Sequence, residues 1–103
     1  MTGLGFGFYA SHPGEVVKDE LEARGISQCR FAARVGMSYS VLNEILNGRR
    51  PITTTSALVF EAALDIPADA LLRMQMKYNM QTALDDSALG ARLKQIRRVA
   101  ALL

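Results

Sequence analysis

Residues 28–47 read QCRFAARVGMSYSVLNEILN, and the placing of small, glycine and apolar residues in this stretch decides the fold. Two short helices that cross at roughly 90–120° over a tight turn need a small residue where their backbones approach and a residue at ease with positive φ in the turn. Ala32 meets the first need and Gly36 the second. Phe31, Val35, Met37, Leu42 and Ile45 fall where side chains on both helices must face inward. Ser27 and Ser38 stand where N-caps belong, since a serine hydroxyl accepts from the free amides of a first turn. A helical hairpin that only packs would account for the apolar positions. It would not account for the arginines that follow at once in Asn47-Gly48-Arg49-Arg50.

Upstream, His12-Pro13-Gly14-Glu15 suits a helix start, because proline's missing N–H costs nothing there and an acid favours the first turn. His12 is expected to help cap that helix. Val16, Val17 and Leu21 supply its apolar face, and Gly25 closes it. Downstream, Pro51 and Thr53-Thr54-Thr55 lead into a fourth helix from about Ser56 to Leu64. Ile66-Pro67-Ala68 opens a fifth that carries Leu71, Leu72, Met74 and Met76 to about Tyr78. Met74, Met76 and Met80 cannot share one helical face, and they are expected to fill a core or a subunit contact. After a polar joint at Asp85-Asp86-Ser87, Leu89, Leu93, Ile96, Ala100 and Leu103 recur at heptad-like spacing along a last helix. Residues 1–11, MTGLGFGFYAS, have no charged side chain and contain Gly3, Gly5 and Gly7, which opposes helix. They predict an extended or mobile arm whose Phe6 and Phe8 could contact a sister subunit or a partner protein. The expected architecture is all-α: an apolar arm over 1–11, a helix-turn-helix domain over 12–84, and a helix over 85–103 for dimer or partner contact through Leu89, Leu93 and Ile96.

The whole chain has 103 residues, half of them apolar and 21% charged, which suits one globular domain. A net charge of +2 identifies no partner by itself. One cysteine and one histidine cannot form an internal disulfide or a Cys/His zinc site. Cys29 reads as a small packing or surface residue. No apolar run reaches the roughly 18–20 residues of a membrane span, and no basic stretch precedes an apolar segment at the start, so a cytoplasmic location is expected. Glu15, Asp19 and Glu22 read as a solvated face. With no phosphate-cradling glycine loop before a helix and no carboxylate–histidine grouping, neither catalysis, a cofactor nor a metal is expected.

As a helix-turn-helix, the stretch makes Ser38 to Leu46 the recognition helix, with its early residues toward the major groove. Ser38, Tyr39, Ser40 and Asn43 are polar and lie off the apolar face. Asparagine can pair with adenine, serine with several base edges, and a carboxylate with the cytosine amino group. Glu44 otherwise repels phosphate, so it should point at a base, pair with an arginine such as Arg49, or stand clear of the backbone. Gln28 is placed to reach a phosphate, and Asn47, Arg49 and Arg50 to hold the sugar-phosphate backbone. Arg30, Arg34, Arg49 and Arg50 face only Glu44 in this region. So few cations hold DNA weakly, and a symmetric dimer is the expected remedy.

His12-Pro13-Gly14-Glu15, the 28–47 stretch and Ile45-Leu46-Asn47-Gly48-Arg49-Arg50-Pro51-Ile52-Thr53 together resemble the HigA family of antitoxins, within the Xre or lambda-repressor-like class. The likeness continues through Ala57 to Leu64 and Gln75…Tyr78-Asn79, about residues 12–84. Asn-Gly-Arg-Arg-Pro-Ile is more specific to this family than the bare motif. The resemblance implies a lambda-repressor-like five-helix domain and a dimer that represses its own operon at double-stranded operator DNA. It also implies a partner toxin of the HigB kind, a small RelE-like ribosome-dependent endoribonuclease. The arm and the basic last helix, with Arg92, Lys94, Arg97 and Arg98, lie outside the family's common core. The alternatives are a stand-alone Xre-type repressor without a toxin partner, or an interaction module that has lost DNA binding.

Overall fold

The computed structural model describes residues 10–103, so the expectations for Phe6, Phe8 and most of the arm lie outside the described residues. Those residues form six helices and no strand: α1 (Gly14–Ala23), α2 (Gln28–Val35), α3 (Tyr39–Leu46), α4 (Thr54–Leu64), α5 (Ala68–Leu84) and α6 (Ser87–Ala100). The all-α expectation stands.

Each boundary has a local cause. The Ser27 hydroxyl accepts from the Arg30 amide at 3.2 Å and starts α2. Gly36, at φ 74°, ends α2 in the left-handed region, and the Met37 amide closes the turn on the Ala32 carbonyl at 2.9 Å. The Ser38 hydroxyl then accepts from Val41 at 3.1 Å and starts α3. Thr53 and Ser56 form a reciprocal capping box, so α4 begins at Thr54, ahead of the expected Ser56. The last serine of that run is an N3 partner, not the opening residue. Helix α5 runs past Tyr78 to Leu84 because NMQTAL contains no breaker. Asp86 caps α6 by accepting from the amides of Ala88 and Leu89.

The core is drawn from α1 through the first turn of α5: Val17 and Leu21, Phe31 and Ala32, Leu42 and Ile45, then Phe60 and Leu71 are all buried. Phe31 and Phe60 stack with ring centroids 6.1 Å apart. Val16, expected on the same face as Val17, is turned toward solvent, as the roughly 100° step between neighbouring helical residues requires. Val35 and Met37 pack at the rim, half-buried. Helix α1 meets the last turn of α3 at Gly14. A Cβ on Gly14 would lie 1.9 Å from the Ile45 carbonyl oxygen, so only glycine fits there.

Two polar contacts tie distant segments to this core. The buried Gln75 side chain accepts from the Ile52 amide at 2.8 Å and donates to Asn79 at 2.9 Å, which fastens the segment after Arg50 to α5. Arg24, beyond the end of α1, donates to the Leu64 carbonyl at 2.8 Å. Helix α6 packs on α5 and has no buried residue. Leu89 and Leu93 are half-buried and Ile96 is exposed. Met74 is half-buried, whereas Met76 and Met80 face solvent and fill no core among the described residues.

Candidate nucleic-acid interface

Helix α3 buries Leu42, Ile45 and Leu46 and leaves its opposite side free. Ser38, Tyr39 and Ser40 are exposed at its N-terminal end, with half of the Tyr39 surface open to solvent. The tyrosine ring is thus available to a base or sugar, and no packing role claims it.

Asn43, expected to read a base, and Gln28, expected to reach a phosphate, are joined to each other. The Asn43 Nδ2 donates to Gln28 Oε1 at 3.0 Å, joining the first residue of α2 to the second turn of α3. Both side chains are half-buried, so the pair is held by its surroundings. One amide oxygen on Asn43 and one amide nitrogen on Gln28 stay uncommitted, an acceptor beside a donor. That pairing matches what a base edge presents in the major groove.

Of the three options for Glu44, the structure shows an arginine partner, and it is Arg50 where Arg49 was the example. Arg50 Nε and Nη2 lie 2.9 and 2.7 Å from Glu44 Oε1. The turn explains the exchange. The Arg49 amide closes back on the Glu44 carbonyl at 2.8 Å, and Gly48 at φ 74° swings the next residue under the helix. Both partners are partly exposed, so the pair adds roughly 0–1 kcal/mol to stability. Its chemical consequence is larger: it masks the carboxylate that would repel phosphate and leaves Arg49 exposed beside it. Asn47 caps the end of α3, its Nδ2 donating to the Asn43 carbonyl at 2.9 Å, so one of its two polar atoms is already spent on the helix.

Two residues singled out only as a helix start contribute to the site from behind. His12 is 5% exposed, its Nδ1 accepts from the Gly14 amide at 2.9 Å, and its ring meets Tyr78 of α5 edge-on at 4.9 Å. A Cβ on Gly48 would already touch that ring at 3.7 Å. Burial pushes the imidazole pKa below its ordinary 6.5, opposed by the Arg50 backbone carbonyl and the Glu15 carboxylate. With Gly14 against Ile45, this corner supports both the end of α3 and the arginine turn. The spacing of His12-Pro13-Gly14 signalled a cap, while the long-range contacts had no signal in the sequence.

Known proteins share this fold. Residues 17–71 match the helix-turn-helix family. The chain is 35% identical over 78 residues to virulence-associated protein I of Dichelobacter nodosus, spanning 75% of this chain and 72% of that protein. An addiction module antidote protein of a HigA family from Coxiella burnetii superposes with a TM-score of 0.71 at 26% identity, covering 85% of this chain and 95% of its own. The Pseudomonas aeruginosa antitoxin HigA, solved with the higBA promoter, gives a TM-score of 0.69 at 29% identity over 86% of this chain and 92% of its own.

Proposed function

The chain belongs to the helix-turn-helix family and is of the HigA antitoxin type, and on that premise we propose that it binds operator DNA as a dimer, represses its own operon and neutralises a HigB/RelE-like endoribonuclease toxin. The observation that carries DNA binding is the free side of α3. There Ser38, Tyr39, Ser40 and the Gln28–Asn43 pair stand exposed or half-exposed, directly ahead of Arg49 and Arg50. Reading a half-site needs such polar groups at a helix N-terminal end, and cations beside them to fix register. No step of this function requires catalysis by the chain.

Dimerisation is supported by α6, whose Leu89, Leu93 and Ile96 are only partly covered within one chain. Two copies would also double the phosphate contacts that one sparsely basic domain provides. The same helix, with Phe6 and Phe8 of the arm, is the candidate toxin contact. No helix among the described residues is long and apolar enough to cross a membrane, in keeping with a DNA-binding role.

The test is co-expression of the tagged chain with its genomic neighbour, followed by titration of upstream promoter DNA. Recovery of a small partner that arrests growth when expressed alone supports the antitoxin reading. Promoter binding with no partner leaves a stand-alone repressor. Within the DNA complex, Asn43→Ala should cost about 1–3 kcal/mol and relax preference at one or two base pairs. Arg49→Ala should weaken all sequences alike and flatten the salt slope, and the reverse pattern would mean that α3 enters the groove in another orientation.

A further inference from the structure

We propose that His12 is a positioning residue for DNA binding: its neutral ring clamps the start of α1 and the middle of α5 onto the turn after α3, and protonation of the ring loosens that clamp and weakens the hold on DNA. This rests on the reading that α3 and its arginine turn meet DNA.

The geometry gives the ring three neighbours from three parts of the chain. The Gly14 amide donates to Nδ1 at 2.9 Å, so Nδ1 must be unprotonated and the neutral ring carries its proton on Nε2. Tyr78 packs edge-on at 4.9 Å from α5. Gly48 passes over the ring, and the Arg50 backbone carbonyl lies within hydrogen-bonding reach. Gly48 and Arg50 flank Arg49, so the ring supports the backbone that aims both guanidinium groups. Gly14 adds to the same support, since its backbone abuts the last turn of α3 at Ile45.

Protonation breaks this arrangement at a definite atom. A proton on Nδ1 sets an N–H against the Gly14 N–H, which loses its acceptor, and places a charge on a ring that is 5% exposed. The charged groups around it are few. Glu15 of α1 favours the cation, and Lys18, Asp19 and Glu22 of α1 line the recess beside the ring. From the turn, Arg50 offers its carbonyl while its guanidinium is held by Glu44. Tyr78 from α5 meets the ring edge-on. Burial outweighs the favourable partners and holds the pKa below 6.5. The sign follows by linkage. The folded form binds its proton less readily than the unfolded chain, so the clamp is fully present above pH 6.5 and is lost as pH falls through the lower folded value.

The chain contains one histidine, so no other side chain with an ordinary pKa changes charge between about pH 5 and pH 8. The direction is also diagnostic. If charge alone mattered, acidification would add a cation and tighten binding to a polyanion. The clamp demands the opposite.

The experiment uses the full chain and its upstream promoter DNA at fixed salt, comparing wild type with His12→Asn at about pH 7.5 and about pH 5.8. The asparagine side-chain oxygen can still accept from Gly14, and it does not titrate in this range. In parallel, exchange of the Gly48 and Arg49 amides in the DNA-free protein is followed by NMR, normalised to intrinsic rates. Wild-type affinity should fall on acidification by more than that of the variant, which changes by less than about twofold. Amide exchange should accelerate at low pH in wild type only. Flat or tighter wild-type binding at low pH overturns the proposal, whatever the exchange shows. If no DNA is bound at either pH, the proposed function fails instead, and the exchange arm decides the clamp: acceleration in wild type alone supports it and unchanged rates overturn it.

Discussion

The chain up to Gln75 and the chain beyond it are both helical, yet they treat apolar side chains in opposite ways. Among the described residues, every buried hydrophobic one lies between Val17 and Leu71, and Gln75 is the last buried residue of any kind. After it, Met76, Met80, Leu84, Ile96 and Val99 all stand exposed. Helix α5 belongs to both regions, entering the core at Ala68 and Leu71 and leaving it past Gln75. The first region closes its own core and seats α3 on it through Leu42, Ile45 and Leu46. The second carries a comparable density of large apolar side chains that the described residues cover only in part. Under the proposed function, stability and DNA reading lie in one part and association in the other, which allows each to be damaged separately.

The sharpest way to break the first region is Gly14→Ala. The added methyl would meet the Ile45 carbonyl oxygen at 1.9 Å, and a backbone atom inside a helix cannot rotate aside. The expected loss is about 3 kcal/mol or more, the upper range for overpacking, read as a lower urea midpoint with an unchanged slope. A loss under about 1 kcal/mol would show that α1 can slide off α3 cheaply. The second effect in size is Gln75→Leu. It keeps the apolar contacts of the site but orphans the buried Ile52 amide, for an expected loss of about 1–3 kcal/mol. Faster exchange at Ile52 should accompany it.

These two positions also show what the sequence could and could not reveal. The caps at Ser27 and Ser38, the left-handed Gly36 and the inward face of Leu42 and Ile45 obey rules that reach only a few residues along the chain, and all were legible. Gly14 touches Ile45, Gln75 holds Ile52 and Asn43 holds Gln28 across much longer separations, where the outcome depends on how whole helices cross. The choice of Arg50 over Arg49 by Glu44 turns on one left-handed residue in the turn between them. Exposure of α3 side chains was readable from periodicity. Their pairing, and the support of the arginine turn by His12, was not, because a histidine that caps and one that also braces give the same short motif.

The smallest stability effect is expected in the second region, and it carries the most information about association. Leu93→Ser removes a half-buried leucine from α6, which contributes nothing to the core. A monomeric chain should lose less than about 0.5 kcal/mol, the range of ordinary surface substitutions. A dimer joined through α6 adds stability by mass action, so wild-type melting should rise with protein concentration and the variant's should not. Sedimentation then separates the cases. If the wild type sediments as a dimer and Leu93→Ser as a folded monomer with weakened promoter binding, α6 joins two copies. If both sediment alike and bind promoter alike, the exposed face of α6 has no part in dimerisation, and its apolar residues are left for a different protein.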